Sequence, residues 1–400
     1  MRLIGTAAIA FLSVFSATLW QPGPLAGAPP GDGREIFRFE TFGDEQLWTD
    51  TLRLNETVQN LSPAAALGLG LKVDLDALPR PLVEALMAGR VDVNDPRVTR
   101  RLLELNAVVG VVAKIAGDRV KSIGVTCALC HSTVDDSFAA GIGRRLDGWP
   151  NLDLDPGKIA AAAPGFPDTL RAEFRAWGPG KYDPRHHIFD GTNIIPINTP
   201  SLPVVIPPAY GLSGVGFETF TGDGPISYWN SYVGVTQMGG HGSFSDDRIG
   251  VSVTQKPDVV TPKLPALLAY QLSLTTPPPP PNSFDPAAAA RGEGIFNGVA
   301  RCGTCHIPSS HYTDVLSGPT RQVPFLHSPT EVGTDPGYAA RSANHLYRTT
   351  PLRALWQHPP YFHDGSAADL AAVVDHYDQF LRLALTPQQK ADLVEFLKSL

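Results

Sequence analysis

Every cysteine in this chain belongs to one short pattern. Cys127-Ala128-Leu129-Cys130-His131 and Cys302-Gly303-Thr304-Cys305-His306 are two copies of C-x-x-C-H, and together they use all four cysteines. Two thiols three positions apart each reach a vinyl group on one edge of a porphyrin, and the histidine that follows is carried under the ring to its iron. The pattern predicts Cys127, Cys130, Cys302 and Cys305 as covalent attachment points for two c-type haems, with His131 and His306 as proximal iron ligands. A shared zinc fits less well, because the insert between the pairs far exceeds that of a zinc knuckle and zinc does not need a histidine after each pair. Thioredoxin-like thiol pairs share the spacing but explain neither the duplication nor the histidines.

A chain wrapped around two flat cofactors needs little continuous secondary structure. The composition agrees: 38 glycines and 38 prolines in 400 residues imply much loop, while 43% hydrophobic residues suffice for buried cores. A net charge of -7 argues against nucleic acid or an anionic membrane surface as partner and favours a basic or uncharged redox protein, such as a small cytochrome or a cupredoxin. Residues 1-28 carry Arg2, an apolar run from Leu3 to Trp20 and a small-residue exit at Ala26-Gly27-Ala28. This reads as a signal peptide, which predicts a periplasmic or secreted protein with no transmembrane anchor after cleavage.

The predicted fold is mainly α: two cytochrome c-like haem domains with loop-rich insertions and a small β-hairpin before the first motif. Residues 29-106 read as an N-terminal helical extension, with periodic stretches at Arg80 to Met87 and Asp95 to Leu105. The first haem domain is assigned to 107-274, opening with β-branched runs on either side of Ala116-Gly117-Asp118, a hairpin signal. Five prolines, Pro277 to Pro281, mark 275-285 as an extended linker or strap. The second haem domain is 286-400. It opens with a helix leading into Cys302 and closes with one whose start is signalled by Thr386, Pro387 and Gln389. An internal echo joins the halves: Thr350-Pro351-Leu352-Arg353, Pro360 to Gly365 and Leu370 to Tyr377 parallel Thr199-Pro200-Ser201-Leu202, Thr221 to Gly224 and Tyr228 to Met238.

At these residues the chain resembles the bacterial di-haem cytochrome c peroxidase superfamily, which also includes di-haem cofactor-maturing enzymes and haem-dependent rubber oxygenases. The matching pieces are the two C-x-x-C-H motifs, the lead-in from Arg291-Gly292 to Phe296-Asn297, the Thr350 to Arg353 step, Pro360 to Gly365 and the helix from Leu370. Phe39 to Glu45 weakly resembles the oxygenase branch. The resemblance implies a division of labour in which one haem passes electrons and the other meets peroxide or dioxygen.

Which haem does which depends on the sixth ligands. The family's axial methionine would fall near the end of the helix after Asp364-Gly365, but no methionine follows Cys302, and His376 and Tyr377 stand at that place. Both are candidates: His/His iron has a low potential, and His/Tyr iron favours ferric and higher states. At the first haem no histidine lies between Ser132 and Arg185, so the family's usual distal histidine is missing, and His186 and His187 sit on a polar stretch. Met238, with His241 nearby, is the candidate ligand there. Trp149, Trp177, Trp229 and Trp356 are candidates for the region between haems, Arg144, Arg145 and Arg353 for the propionates, and Phe217, Phe220 and Trp229 for an apolar pocket lining. The Asp190 to Asn198 loop has oxygens suited to calcium, without fixing a site. Three functions follow: peroxide reduction at the first haem fed by electrons from the second, a pure electron carrier with both irons six-coordinate, or a haem-dependent oxygenase.

Overall fold

The computed structural model describes residues 30-198, 200-318 and 321-400. The signal-peptide segment 1-28 and Thr199 of the internal echo lie outside the described residues. About 41% of the chain is helical, and its sheets, among the described residues, all have only two strands. The molecule is mainly α with small sheets, and its cores are built by helices and loops. Among the described residues no helix is long and apolar enough to cross a membrane.

The hairpin forms as its sequence predicts: β1 (Val111–Ala116) and β2 (Arg119–Val125) pair antiparallel around Gly117-Asp118. Val125 delivers the chain to the first motif. Downstream, α1 (Ile226–Tyr232) passes without a break into a wider π turn over Val233–Gln237. The second half opens with α2 (Pro286–Asn297), capped by Asp285, and continues through α3 (Leu370–Leu381) to α4 (Pro387–Ser399). The start of α4 is the full capping box, with Thr386 Oγ1 accepting from Gln389 N and the Gln389 side chain accepting from Thr386 N. Both orphan donors are thereby satisfied.

Two cores fill the N-terminal part. One joins Leu47, Leu52 and Leu103 to Phe166, Phe174 and Phe189, so the helical extension shares its interior with residues beyond the first motif. The other gathers Phe37, Val109 and Val125 around Trp229, Tyr232 and Met238. A third core lies within the C-terminal part, where Phe296, Val374, Leu393 and Phe396 pack together. Burying each such side chain stabilises by ~1.5–3 kcal/mol at most. Gly292 lets α2 and α4 touch, since a Cβ there would come within 2.1 Å of the Asp392 carbonyl oxygen, and Arg291 seals the contact on the Asp392 carboxylate at 2.7 Å. A small cluster of Val204, Tyr338, Ala339 and Tyr347, with Phe220 against it, closes the seam between the two parts. The proline-rich stretch is anchored at both ends: Gly211 N donates to Leu274 O at its start, and Asp285 N to the Glu395 carboxylate at its end.

Candidate functional site: two Cys-x-x-Cys-His motifs on one cavity

The first motif is held by backbone. Thr126 N donates to Gly110 O, and His131 N to Cys127 O, which winds Ala128–His131 into one helical turn. Gly110, at φ +75°, lies so close to that turn that a Cβ would stand 2.1 Å from Leu129 N, a position only glycine tolerates. The carbonyls of Cys130 and His131 are taken by Asn151 N and Gly148 N. The second motif follows α2 through Arg301 in the left-handed region, and its His306 N donates to Cys302 O at 2.9 Å.

The two histidines share one arrangement. His131 Nδ1 lies 3.1 Å from Pro207 O, and His306 Nδ1 lies 2.8 Å from Tyr312 O. A carbonyl oxygen only accepts, so each Nδ1 carries the proton; the His306 ring also has the Thr350 carbonyl within reach. Burial enforces neutrality, lowering His131 to about 4 and His306 below its ordinary value. Burial also pushes Cys127 and Cys130 up to about 12 and Cys302 to about 11. These are neutral thiols in apolar surroundings, with none of the activation of a reactive thiolate.

Both motifs open on one continuous cavity of about 840 Å³. Trp48, Trp177, Tyr182, His187, Trp229 and Met238 line its first end, and Phe362, Leu370, Val374, Tyr377 and Leu381 its second. The structure separates the two candidates on α3. Leu370, Val374, Tyr377 and Leu381 form one stripe of the helix, at the three- and four-residue spacing of a buried face. His376 is turned about 100° away from it; its ring packs on Phe362 at 4.9 Å and stacks on Phe380 at 6.1 Å. Tyr377 is the residue brought to the second cysteine pair, and burial together with the nearby Cys302 and Cys305 pushes its phenol up to about 12. At the first end Met238 is buried and on the cavity wall, whereas His241 is half-buried and off that wall, with Nδ1 donating to Pro257 O at 2.7 Å.

Other expected residues divide similarly. Arg353 lines the cavity, with one nitrogen on Gly211 O at 2.6 Å and another on Glu218 at 3.4 Å. Arg144 is exposed, and Arg145 is committed to Asp74 at 3.0 Å behind Phe39. Trp177 and Trp229 lie on the wall; Trp149 and Trp356 meet edge to face at 5.7 Å and bridge the two parts of the chain. Phe220 reaches the cavity, and Phe217 contributes a carbonyl to Arg348. The Asp190 carboxylate accepts from Thr192 N and Asn193 N, ordinary hairpin-turn chemistry.

Sequence reasoning missed several groups. His186 and His187 are buried, and His187 lines the first end, lowered to about 4 by burial; its place in the strand His187–Phe189, ahead of Ile188 and Phe189, was the available signal. Gln237 takes a hydrogen bond from Tyr182 at 2.9 Å and donates to His187 O at 2.9 Å. Between the two ends lie Glu218 and Arg348, paired at 3.0 Å, and Tyr347 with His363. Near the second motif, ligand atoms of Cys305, Asp314 and His327 lie within 4.8 Å of one another. His327 is gripped by Asp314 at 2.6 Å and Glu331 at 2.9 Å, which raise it to about 9.

Two cysteine pairs, each followed by a histidine, thus line one interior space. No protein-family model matches the chain. It is 28% identical over 131 residues to the methylamine utilization protein MauG of Methylorubrum extorquens, covering 28% of this chain and 35% of that protein. It is also 28% identical over 181 residues to the cytochrome-c peroxidase IdrP1 of Denitromonas iodatirespirans, covering 34% of this chain and 48% of that one. The matched region thus spans less than half of either relative. A solved MauG-like protein associated with microbial copper homeostasis is 23% identical, covering 34% of this chain and 52% of that chain, with a TM-score of 0.28. The relatives are members of the di-haem cytochrome c peroxidase superfamily, and the resemblance drawn from the motifs is borne out at that level.

Proposed function

We propose that the chain is an exported di-haem c-type cytochrome that takes electrons from a redox partner at the Cys302-Cys305-His306 site and delivers them to peroxide at the Cys127-Cys130-His131 site. The observation that carries this reading is the matched pair of histidines, each with Nδ1–H on a backbone carbonyl, beside a cysteine pair on the wall of a shared cavity. That donor set fits a haem at each end: two neutral thiols for the porphyrin edge and one oriented imidazole for iron. Bound there, haem supplies the redox-active iron that stores and passes single electrons.

The protein's part is orientation, proton supply and exclusion of water. Pro207 O and Tyr312 O hold the imidazoles at fixed rotation. Tyr377 would be the chain's second iron-binding side chain at the second site, which would favour the oxidised states there, and peroxide at the first site would have to take the place open to Met238. The Tyr182 hydroxyl, bonded to Gln237, is a protonated donor on the first wall, where burial raises it well above its ordinary value. The Trp149–Trp356 contact offers a short through-space step between the halves. On this reading 107-274 and 286-400 are the two haem units and 275-285 ties them together. The predominantly apolar first end, with Trp48, Trp177 and Trp229, favours a second reading as an oxygenase acting on an apolar substrate.

The test is made on protein exported by a host with haem-attachment machinery. Mass spectrometry is expected to show two haems per chain, and cyanide is expected to perturb one haem spectrum only. Absence of covalent haem ends the proposal. Two irons that ignore cyanide leave an electron carrier, and dioxygen consumption with an apolar substrate in the absence of peroxide selects the oxygenase.

A further inference from the structure

We infer that Tyr347 and His363 form a redox-active pair: Tyr347 is the side chain that gives up an electron when the haem at the first site has been oxidised by peroxide, and His363 takes its proton. This deepens the proposed function and rests on its peroxide reading. The pair lines the cavity that the two motifs share, Tyr347 belongs to the seam cluster with Tyr338 and Phe220, and the His363 ring packs on all three. Tyr347 Oη lies 3.1 Å from His363 Nε2 and 2.7 Å from Asp335 O, so its one proton has two acceptors within reach, and only the imidazole can take it up. The His363 ring is 4.9 Å from the Tyr347 ring and stacks on Tyr338 at 5.9 Å.

The choice among aromatic side chains follows from where a proton can go. A phenol that loses an electron becomes a strong acid, so its O–H bond breaks only if a base is within hydrogen-bond reach. Among the described cavity-lining residues, the Tyr182 hydroxyl faces the amide oxygen of Gln237 and the Tyr361 hydroxyl faces Leu355 O, neither of which takes up a proton. The Trp229 N–H faces Glu218 O, and the Trp177 N–H faces Ser201 Oγ. Tyr347 has an imidazole within reach as well as the Asp335 carbonyl. Burial lowers His363 below its ordinary value, which keeps it neutral and available as a base. The Thr334 hydroxyl, 3.4 Å from His363 Nδ1, both donates and accepts, so it accommodates either tautomer.

The step balances. Tyr347 loses one electron to the peroxide-oxidised haem, its O–H bond breaks, the proton moves to His363 Nε2, and a neutral tyrosyl radical remains beside an imidazolium. A later electron from the partner side restores both. The consequence is a holding place for one oxidising equivalent in the seam.

The test uses the di-haem protein mixed with hydrogen peroxide and freeze-quenched for electron paramagnetic resonance. Wild type is expected to give an organic radical whose lines narrow on ring-deuteration of tyrosine. Tyr347→Phe keeps the ring packing and is expected to abolish that radical while the haem spectra stay as in wild type. His363→Gln retains a hydrogen-bonding partner but not a base, and is expected to lower the radical yield. Haem oxidation above ferric without a tyrosyl radical, or a radical that persists in Tyr347→Phe, overturns the pair and leaves the peroxide reading standing. Ferric haem that ignores peroxide overturns both.

Discussion

Asp223 ties the two sides of the cavity wall together, and its loss should loosen that wall first. Its carboxylate is buried, pairs with Arg185, and accepts from Thr221 Oγ1 at 2.8 Å, Ala343 N at 3.1 Å and Asn344 Nδ2 at 3.3 Å. Arg185 is 1% exposed, with the Trp229 and Tyr232 rings 5.4 and 6.0 Å from its guanidinium. Those ring contacts exist already, so Asp223→Ala leaves the cation with no new compensation. Breaking a buried pair from one side costs about 3–5 kcal/mol. The orphaned neutral donors add to this less than additively, because they share one acceptor. Removing both charges with packed apolar residues, Arg185→Met with Asp223→Leu, should recover most of the loss. The assay is urea unfolding, combined with hydrogen exchange over residues 341 to 348. The expected result is early loss of protection in that segment and a shift in first-haem absorption, since Trp229 lines that end. A single variant within about 0.5 kcal/mol of wild type, or a double variant no better than the single, refutes the reasoning.

Three shorter predictions follow from the site. Gly110→Ala places a Cβ against Leu129 N at a positive φ, so the haem-to-chain ratio measured by pyridine haemochrome should fall from two toward one; an unchanged ratio contradicts the backbone argument. Met238→Ala should give the first haem a new cyanide- or carbon monoxide-binding spectrum if the thioether is bound, and identical spectra remove it as a ligand. His327 is raised above its unfolded value, so its pairing with Asp314 and Glu331 stabilises fully below about pH 6.5 and the contribution is lost as pH rises through about 9. His327 is partly solvated, so the effect is modest. The urea midpoint should decline across that window in wild type and not in His327→Gln.

What the sequence disclosed was local. Helices with their own caps, such as Pro387–Ser399 behind Thr386 and Pro96–Glu104 behind Asp95, could be placed to within a residue, because N-cap chemistry and Pro at the first turn act over four positions. The hairpin at Gly117-Asp118 was equally legible. The site's walls were not. His187, Gln237 and Glu218 reach the cavity through pairings of chain segments far apart in sequence, as when Gln237 meets Tyr182 or Arg348 meets Glu218. No periodicity encodes such contacts. The choice between His376 and Tyr377 lay in between: both stood open as candidates, and the stripe Leu370, Val374, Tyr377, Leu381 that puts Tyr377 on the cavity wall was readable in the spacing.

The internal echo gains weight from a feature its residues did not advertise. Thr221 to Gly224 is closed by an isolated antiparallel bridge between Glu218 and Gly224, and the turn at Asp364-Gly365 by one between Tyr361 and Ala367. A helix starts soon after each, at Ile226 and at Leu370, and each helix sends one candidate ligand to the cavity from its far end, Met238 or Tyr377. The two copies differ where the chemistry would have to differ. The first helix widens into a π turn before Met238, which shifts the residues beyond it around the helix axis, whereas the second runs as plain α through Tyr377. If the π turn sets which side chain faces the first haem, deleting one residue from Val233–Gln237 should restore α geometry and rotate Met238 off the wall. The first haem should then bind cyanide more tightly than in wild type while the second keeps its spectrum; an unaltered first haem would show that the turn does not select the ligand.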